Sequence, residues 1–270
     1  MKIVVFSDIH YSDNYKYENE PIKSRKLTMY SEPLVKKLIE KINHEIKPDI
    51  VLNLGDLIED RNDSKKDKEN LEYIWNILKQ IKVPFYTLVG NHDLKMIKSK
   101  REVESILGYK NATFSIDLNG YHFVFLSPKL EKFTISDDGG ISRTKNISTE
   151  DLKWLINDLK KNTLPTIICY HYGIAEDDMK GNWWFEKDKE EALLENRNEL
   201  KEILESDKNM VAVFSGHQHW TKEIEENNIK YFIVGSLVEN VNNDGIPDGI
   251  FLEVDIKDKN MEIKKRHISI

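Results

Sequence analysis

The chain has 270 residues, 39% hydrophobic and 32% charged, a balance that excludes a disordered polymer and fits a folded protein with a sizeable core. A formal charge of −7 offers no basic field for a polyanion, so no nucleic-acid partner is expected; a small phosphorylated ligand stays open if bound cations supply positive charge locally. The lone cysteine, Cys169, excludes an internal disulfide, and no apolar run approaches the ~20 residues of a membrane span, which points to a cytoplasmic protein with no membrane partner.

The first expected strand, Ile3-Val4-Val5-Phe6, stops at Ser7-Asp8-Ile9-His10. A polar segment dotted with Tyr11, Tyr15, Tyr17 and Arg25 follows, then a helical stripe of Leu34, Val35, Leu38, Ile39 and Ile42 with Ser31 as candidate cap. A second strand, Ile50 to Leu54, runs into Gly55-Asp56. The charged stretch Asp60 to Glu69 lacks apolar residues and reads as a solvated loop, and beyond it Leu71, Ile74, Trp75, Leu78 and Ile81 form another helical stripe. A third strand, Phe85 to Val89, ends on Gly90-Asn91-His92-Asp93.

Asn119-Gly120 between Thr113–Ile116 and Tyr121–Leu126 signals a hairpin. A helix is expected from Ser148 or Thr149, through Leu152, Leu155, Ile156 and Leu159. Next comes a strand, Thr166 to Tyr170, ending on His171, and a helix from about Glu190 to Glu205. The fifth strand of this kind, Met210 to Phe214, ends on Ser215-Gly216-His217-Gln218-His219. Two alternating hairpins close the chain, 222–234 and 249–265, and with the earlier hairpin they read as a second sheet packed on the first. Helices between strands imply crossovers and a partly parallel sheet, whose ligands collect beyond the carboxyl ends of the strands. No internal repeat or flexible linker interrupts the chain, so residues 1–270 are read as one domain.

Five of the eight histidines lie in these strand endings, together with Asp8, Asp56 and Asn91. A dinuclear hydrolytic site needs imidazole and carboxylate donors and an oxygen donor able to bridge two ions, which an Asp can do and a His cannot. Asp8-x-His10, Gly55-Asp56, Gly90-Asn91-His92-Asp93, the later His171 and Gly216-His217-x-His219, in this order, resemble the calcineurin-like metallophosphoesterase superfamily.

The resemblance implies an α/β fold, two mixed β-sheets packed as a sandwich with flanking helices. It implies Asp8, His10 and His219 on one divalent ion, Asn91, His171 and His217 on a second, and Asp56 shared. Between two such cations a bridging hydroxide would attack phosphorus, with His92 as general acid or charge stabiliser. In the protein phosphatases of the superfamily an acid three residues after the shared Asp orients that histidine, and the matching position here is Glu59. The N/O donor set accepts manganese, iron, zinc or cobalt alike.

The segments after His10 and His171 are expected to rim the site. Tyr11 and Trp183 are candidate stacking residues for a nucleobase, and Arg25 and Arg143 candidate ligands of a remote phosphate. The expected substrate is accordingly a phosphodiester or pyrophosphate in a small nucleotide derivative, with loose similarity to the manganese-dependent ADP-ribose and CDP-alcohol pyrophosphatases. The alternatives are a cyclic-nucleotide phosphodiesterase or phosphomonoesterase of the same fold and, more distantly, a non-catalytic protein-binding scaffold.

Overall fold

The computed structural model describes residues 1–13, 24–95, 99–129, 134–135, 141–142 and 145–270. The strands are β1 (Lys2–Phe6), β2 (Ile50–Asn53), β3 (Phe85–Thr87), β4 (Phe114–Leu118), β5 (Tyr121–Phe125), β6 (Thr134–Ile135), β7 (Ile141–Ser142), β8 (Thr166–Cys169), β9 (Met210–Ser215), β10 (Lys222–Glu226), β11 (Ile229–Ile233), β12 (Ile250–Lys257) and β13 (Asn260–His267). One sheet has the order β13-β12-β1-β2-β3 and a second the order β10-β11-β9-β8-β5-β4, with β6 and β7 as a separate ribbon. Both large sheets are mixed: β1, β2 and β3 pair in parallel, as do β5, β8, β9 and β11, and the hairpins add antiparallel edges.

The five ligand-bearing strands are therefore split between two sheets, three in one and two in the other. The hairpins form no sheet of their own, contrary to the sequence reading, because each pairs onto an edge of the nearer parallel block. Alternation along the strands explains the layers. Ile3 and Val5 of β1 and Ile50 and Leu52 of β2 point inward, meeting Phe123, Phe125, Ile167, Cys169 and Phe214 of the other sheet. Burial pushes the Cys169 thiol far above its usual range, which keeps it inert in that core. Val4, Phe6 and Val51 face outward, against helices α1 (Ser31–Lys41), α2 (Ser64–Leu78), α3 (Asn91–Leu94) and α4 (Lys100–Leu107). Val124, Ile168 and Val213 of the second sheet meet α5 (Thr149–Lys161) and α6 (Arg197–Ser206). Burial on both faces is why these strands read as unbroken apolar runs.

Two expectations are corrected. The charged run before Leu71 is not all loop: α2 starts at Ser64, with Asp63 accepting from the amides of Lys65 and Lys66. Its first turns carry no apolar residue: Lys65 and Glu69 face solvent, while the buried positions there are the polar Asp67 and Asn70, whose side chains bond to the Arg61 amide and to Asp13. The helix expected from Glu190 starts as a short 3-10 turn, Lys189–Ala192, breaks where Leu193 bridges Gly173 in extended conformation, and resumes as α6 at Arg197. That break lets the 190s loop reach the site.

Candidate metal centre

Every ligand candidate sits where a parallel strand ends, and main-chain bonds lash those ends together. Asp8 N donates to Gly55 O (3.1 Å), His10 N to Asp56 O (3.1 Å) and Gly216 N to His171 O (3.0 Å). Asp8, His10, Asp56, His217 and His219 all have φ between 49° and 65°. Such left-handed backbone is uncommon outside glycine and costs on the order of 1 kcal/mol per residue, so the surrounding bonds must hold it. Gly216 permits the closest approach, since a β-carbon there would collide with Ser7 Oγ and come within 2.7 Å of Asp8 Oδ2.

Three groups of donors result, His10 with Glu59 and His92, and the two that make the centre, Asp8 with His10 and His219 and Asp56 with His171 and His217. These two adjoin through Asp56: its Oδ1 accepts from the His92 amide (2.9 Å), and its Oδ2 lies 3.8 Å from His10 Nε2 and 3.4 Å from His171 Nε2. Asn91 joins the Asp56 group, with Oδ1 3.0 Å from His171 Nε2.

The four imidazoles share one feature: the nitrogen turned away from the centre meets an oxygen. His10 Nδ1 lies 2.9 Å from Glu59 Oε2. His171 Nδ1 donates to Leu54 O (2.7 Å), His217 Nε2 to Glu191 O (3.0 Å) and His219 Nδ1 to Glu239 Oε2 (2.7 Å). Holding the outer proton fixes the tautomers of His171, His217 and His219 and aims the other nitrogen's lone pair inward, whereas the contact of buried His10 Nδ1 with Glu59 lies outside hydrogen-bonding geometry.

The site fits cations. Asp8 Oδ1 is buried with no hydrogen-bond partner, and the nearest imidazole nitrogens, His219 Nε2 and His10 Nε2, are 3.4 and 3.7 Å away. A buried carboxylate oxygen left so is costly unless a cation approaches it. The local field points the same way. Burial disfavours a charged His219, yet Asp8 and Glu239 beside it outweigh burial and raise its pKa to about 9; His171 rises to about 9 through Asp56 in the same manner. For Asp8 and Asp56 the neighbouring histidines overcome burial and hold both carboxyls well below their usual range. His217 falls to about 3, from burial and then the charge of His171. Asp93, pushed up to about 7 by burial and by Asp56, accepts from the amides of Leu57, Ile58 and Gly90 and so clamps the loops after β2 and β3.

Glu59 is not the partner of His92. The His92 Nδ1 contact of 2.7 Å is with Asp60 Oδ2, and Glu59 Oε2 lies 3.6 Å away. The cause is in the backbone: Tyr11 and Ile58 pair as a parallel bridge and Glu59 N donates to Tyr11 O. That ladder directs Glu59 to His10 and Lys26, leaving Asp60 for His92 and Lys95.

The cavity over the centre measures about 390 Å³, and its rim also differs from expectation. Tyr11 is 6% exposed and stacks on the exposed ring of Tyr73, outside the cavity lining. Arg25 is spent on structure, with Nε on Glu239 Oε1 (2.9 Å) and Nη1 on Asn240 O (2.7 Å) and Asn243 Oδ1 (3.0 Å). Trp183, 61% exposed, lies beneath that guanidinium rather than in the cavity. Arg143, Tyr15 and Tyr17 lie outside the described residues. The aromatic wall is instead Tyr172, Trp184 and Phe185, and the cationic lining is Lys26, Lys95 and Lys145. Asn182 sets that wall: its Oδ1 accepts from the amides of Trp184 and Phe185 and its Nδ2 donates to Gln218 O. Asp60, Glu239 and the three lysines carry no motif in the sequence, and Glu59 is marked by its spacing from Asp56 for a different partner; only the adjacency of Trp184 to Trp183 hints at the wall.

A two-sheet α/β sandwich with paired His/Asp clusters at its strand ends defines a metal-dependent phosphoric ester hydrolase. Residues 1–221 match the calcineurin-like phosphoesterase family, and the chain belongs to it. A "Probable cyclic nucleotide phosphodiesterase" of Psychrobacter arcticus is 20% identical over 224 residues, 81% of this chain and 74% of that protein. Among solved structures, a dimetal phosphatase from Danio rerio superposes with a TM-score of 0.71 at 15% identity, covering 99% of this chain and 96% of that one. A purple acid phosphatase from yellow lupin seeds gives a TM-score of 0.63 at 15% identity over 99% of this chain and 51% of that one. Members of this family use a dinuclear metal centre, and the described residues supply candidate clusters for it. Among them no helix is long and apolar enough to cross a membrane.

Proposed function

We propose that this protein hydrolyses a phosphodiester or pyrophosphate bond in a small nucleotide derivative. Two divalent cations would be held by Asp8, His10 and His219 and by Asn91, His171 and His217, with Asp56 between them. The observation that carries this reading is Asp56 Oδ2, within 4 Å of an inward imidazole nitrogen from each group. When bound, such a pair supplies Lewis acidity toward phosphoryl oxygens and lowers the pKa of a water molecule. The donor set suits manganese, iron, zinc or cobalt.

The protein's own part is orientation. His92 stands over the shared carboxylate, its amide fixed on Asp56 Oδ1 and its Nδ1 on Asp60, so its Nε2 edge faces the cavity. Tyr172, Trp184 and Phe185 offer ring faces for a base and exclude water from one wall. A second organic substituent on phosphorus would use that wall, which favours a diester or pyrophosphate over a simple monoester. The chain's likeness to a protein named as a probable cyclic nucleotide phosphodiesterase supports a second reading, a cyclic phosphodiester substrate. We take residues 1–270 as one catalytic unit, and the single buried cysteine suits a reducing, cytoplasmic setting.

The test is to strip the protein of metal, restore manganese, and compare an aryl phosphomonoester, an aryl phosphodiester, ADP-ribose and cyclic AMP. Manganese-dependent turnover of a diester or pyrophosphate is expected. Equal turnover by metal-free protein would refute the mechanism, and a dominant monoesterase activity would refute the substrate class.

A further inference from the structure

One cation in the cavity is held in an unusual seat. Lys26 Nζ donates to Glu59 Oε2 (2.8 Å) and to His92 Nε2 (3.2 Å), lies 5.3 Å from the centre of the Trp184 ring, and its side chain is 12% exposed. An ammonium has three donors and no acceptor. Its contact with Nε2 therefore makes that nitrogen an acceptor, and the His92 proton resides on Nδ1, facing Asp60. In this arrangement the imidazole presents no N–H to the cavity at this corner. Glu59 and His92 engage two of the three ammonium protons; among the described residues no further hydrogen bond from Nζ is seen, so the third is open to a ligand in the cavity that Lys26 lines.

We propose that Lys26 is a catalytic residue, a fixed cation that donates a hydrogen bond to the leaving-group oxygen. This rests on the phosphodiester-hydrolase reading above. A phosphodiester has two non-bridging oxygens, which the two cation positions would take. Charge that builds up on the departing ester oxygen has no such partner, and the ammonium at the His92 corner supplies one. During hydrolysis a water oxygen bonds to phosphorus and the P–O bond to the leaving group breaks, its electron pair staying on the leaving oxygen. One water proton ends on that oxygen as the alcohol and the other leaves to solvent. Lys26 keeps its three protons throughout, stabilising the charge without transferring a proton.

The test uses manganese-loaded full-length protein, wild type, Lys26→Met and Lys26→Arg, with methyl phenyl phosphate and methyl 4-nitrophenyl phosphate. These diesters differ in how much charge stabilisation the departing phenolate needs. For Lys26→Met, manganese content and melting temperature should match wild type. Its kcat on the phenyl ester should fall about 10²-fold, the scale of one lost transition-state donor, but less than about tenfold on the nitrophenyl ester. Lys26→Arg should recover part of the loss, with the same dependence on leaving group. Equal losses on both esters, lost manganese, or an unchanged phenyl-ester rate would overturn the role of Lys26. If wild type cleaves neither ester, the proposed function falls first and the role of Lys26 with it.

Discussion

Glu239 Oε2 lies 2.7 Å from His219 Nδ1, and the same fully buried carboxylate accepts from Arg25 Nε (2.9 Å) and Trp184 Nε1 (3.1 Å). One side chain thus orients a candidate metal ligand and pins two loops of the cavity rim against it. Glu239 also lies beyond residues 1–221, the span matched by the family.

Glu239→Gln should weaken manganese binding by about 10- to 100-fold, because the amide no longer offers a charged acceptor to His219. Calorimetric titration of stripped protein with manganese checks this. An unchanged dissociation constant would mean the carboxylate only ties the loops.

Asp56→Asn should abolish hydrolysis while preserving the fold. Oδ1 can still accept from the His92 amide, but the second oxygen, the one reached from both donor groups, becomes an NH2. Far-UV circular dichroism and a diester assay read the two halves of this expectation. Residual activity near wild type would remove Asp56 from the centre.

The acids at 59 and 60 should separate in their effects. Asp60→Asn should lower kcat with manganese content kept, in parallel with His92→Ala, because Asp60 holds the His92 proton on Nδ1 and His92 Nε2 in turn anchors the Lys26 ammonium. A fall of about 10²-fold is expected, the scale of one misplaced transition-state donor. Glu59→Gln should instead weaken metal binding, since its carboxylate faces His10. Paired kcat and metal-content measurements decide, and the opposite pattern would restore Glu59 as the partner of His92.

Gly216→Ala should be destabilising and metal-poor, because the added methyl group meets Ser7 and Asp8 at the point where the two sheets' loops touch. A melting temperature and manganese content equal to wild type would show that the loops can part at little cost.

Asp67 gives a pH-dependent expectation away from the centre. Burial, with Asp60 and Asp63 nearby, raises its pKa from 3.8 to about 6, and its Oδ2 has no hydrogen-bond partner. Between these values the unfolded chain gives up the proton first, so this group's contribution to stability falls as pH rises from 3.8 through about 6 and stays low above it. Asp67→Asn keeps the acceptor for the Arg61 amide and should be more stable than wild type by about 1 kcal/mol at pH 8, with the advantage shrinking at pH 5. Urea denaturation at both pH values measures it; an advantage independent of pH would exclude ionisation as its cause.

The strands, their order and the class of chemistry were legible in the sequence because local physics writes them locally. A strand buried on both faces must be apolar throughout, so Ile3–Phe6 and Met210–Phe214 announced themselves, and the polar residue that ended each run marked the mouth of the site. The division of five similar strands between two sheets left no local trace, since pairing partners are chosen by contacts between distant segments. The same holds for the oxygens set against the imidazoles: Leu54 O and Glu191 O are backbone atoms without sequence identity, Asp60 and Glu239 are ordinary acids until the fold sets them against His92 and His219, and Glu59, marked by its spacing from Asp56, turns to His10 instead of His92. Tyr11 and Arg25 looked like rim residues from their place in the chain, but packing against Tyr73 and bonding to Glu239 had already claimed them, while Lys26 and Trp184, beside Arg25 and Trp183 in sequence, turned into the cavity. One residue step changes a side chain's direction, and only tertiary contacts decide which direction is inward.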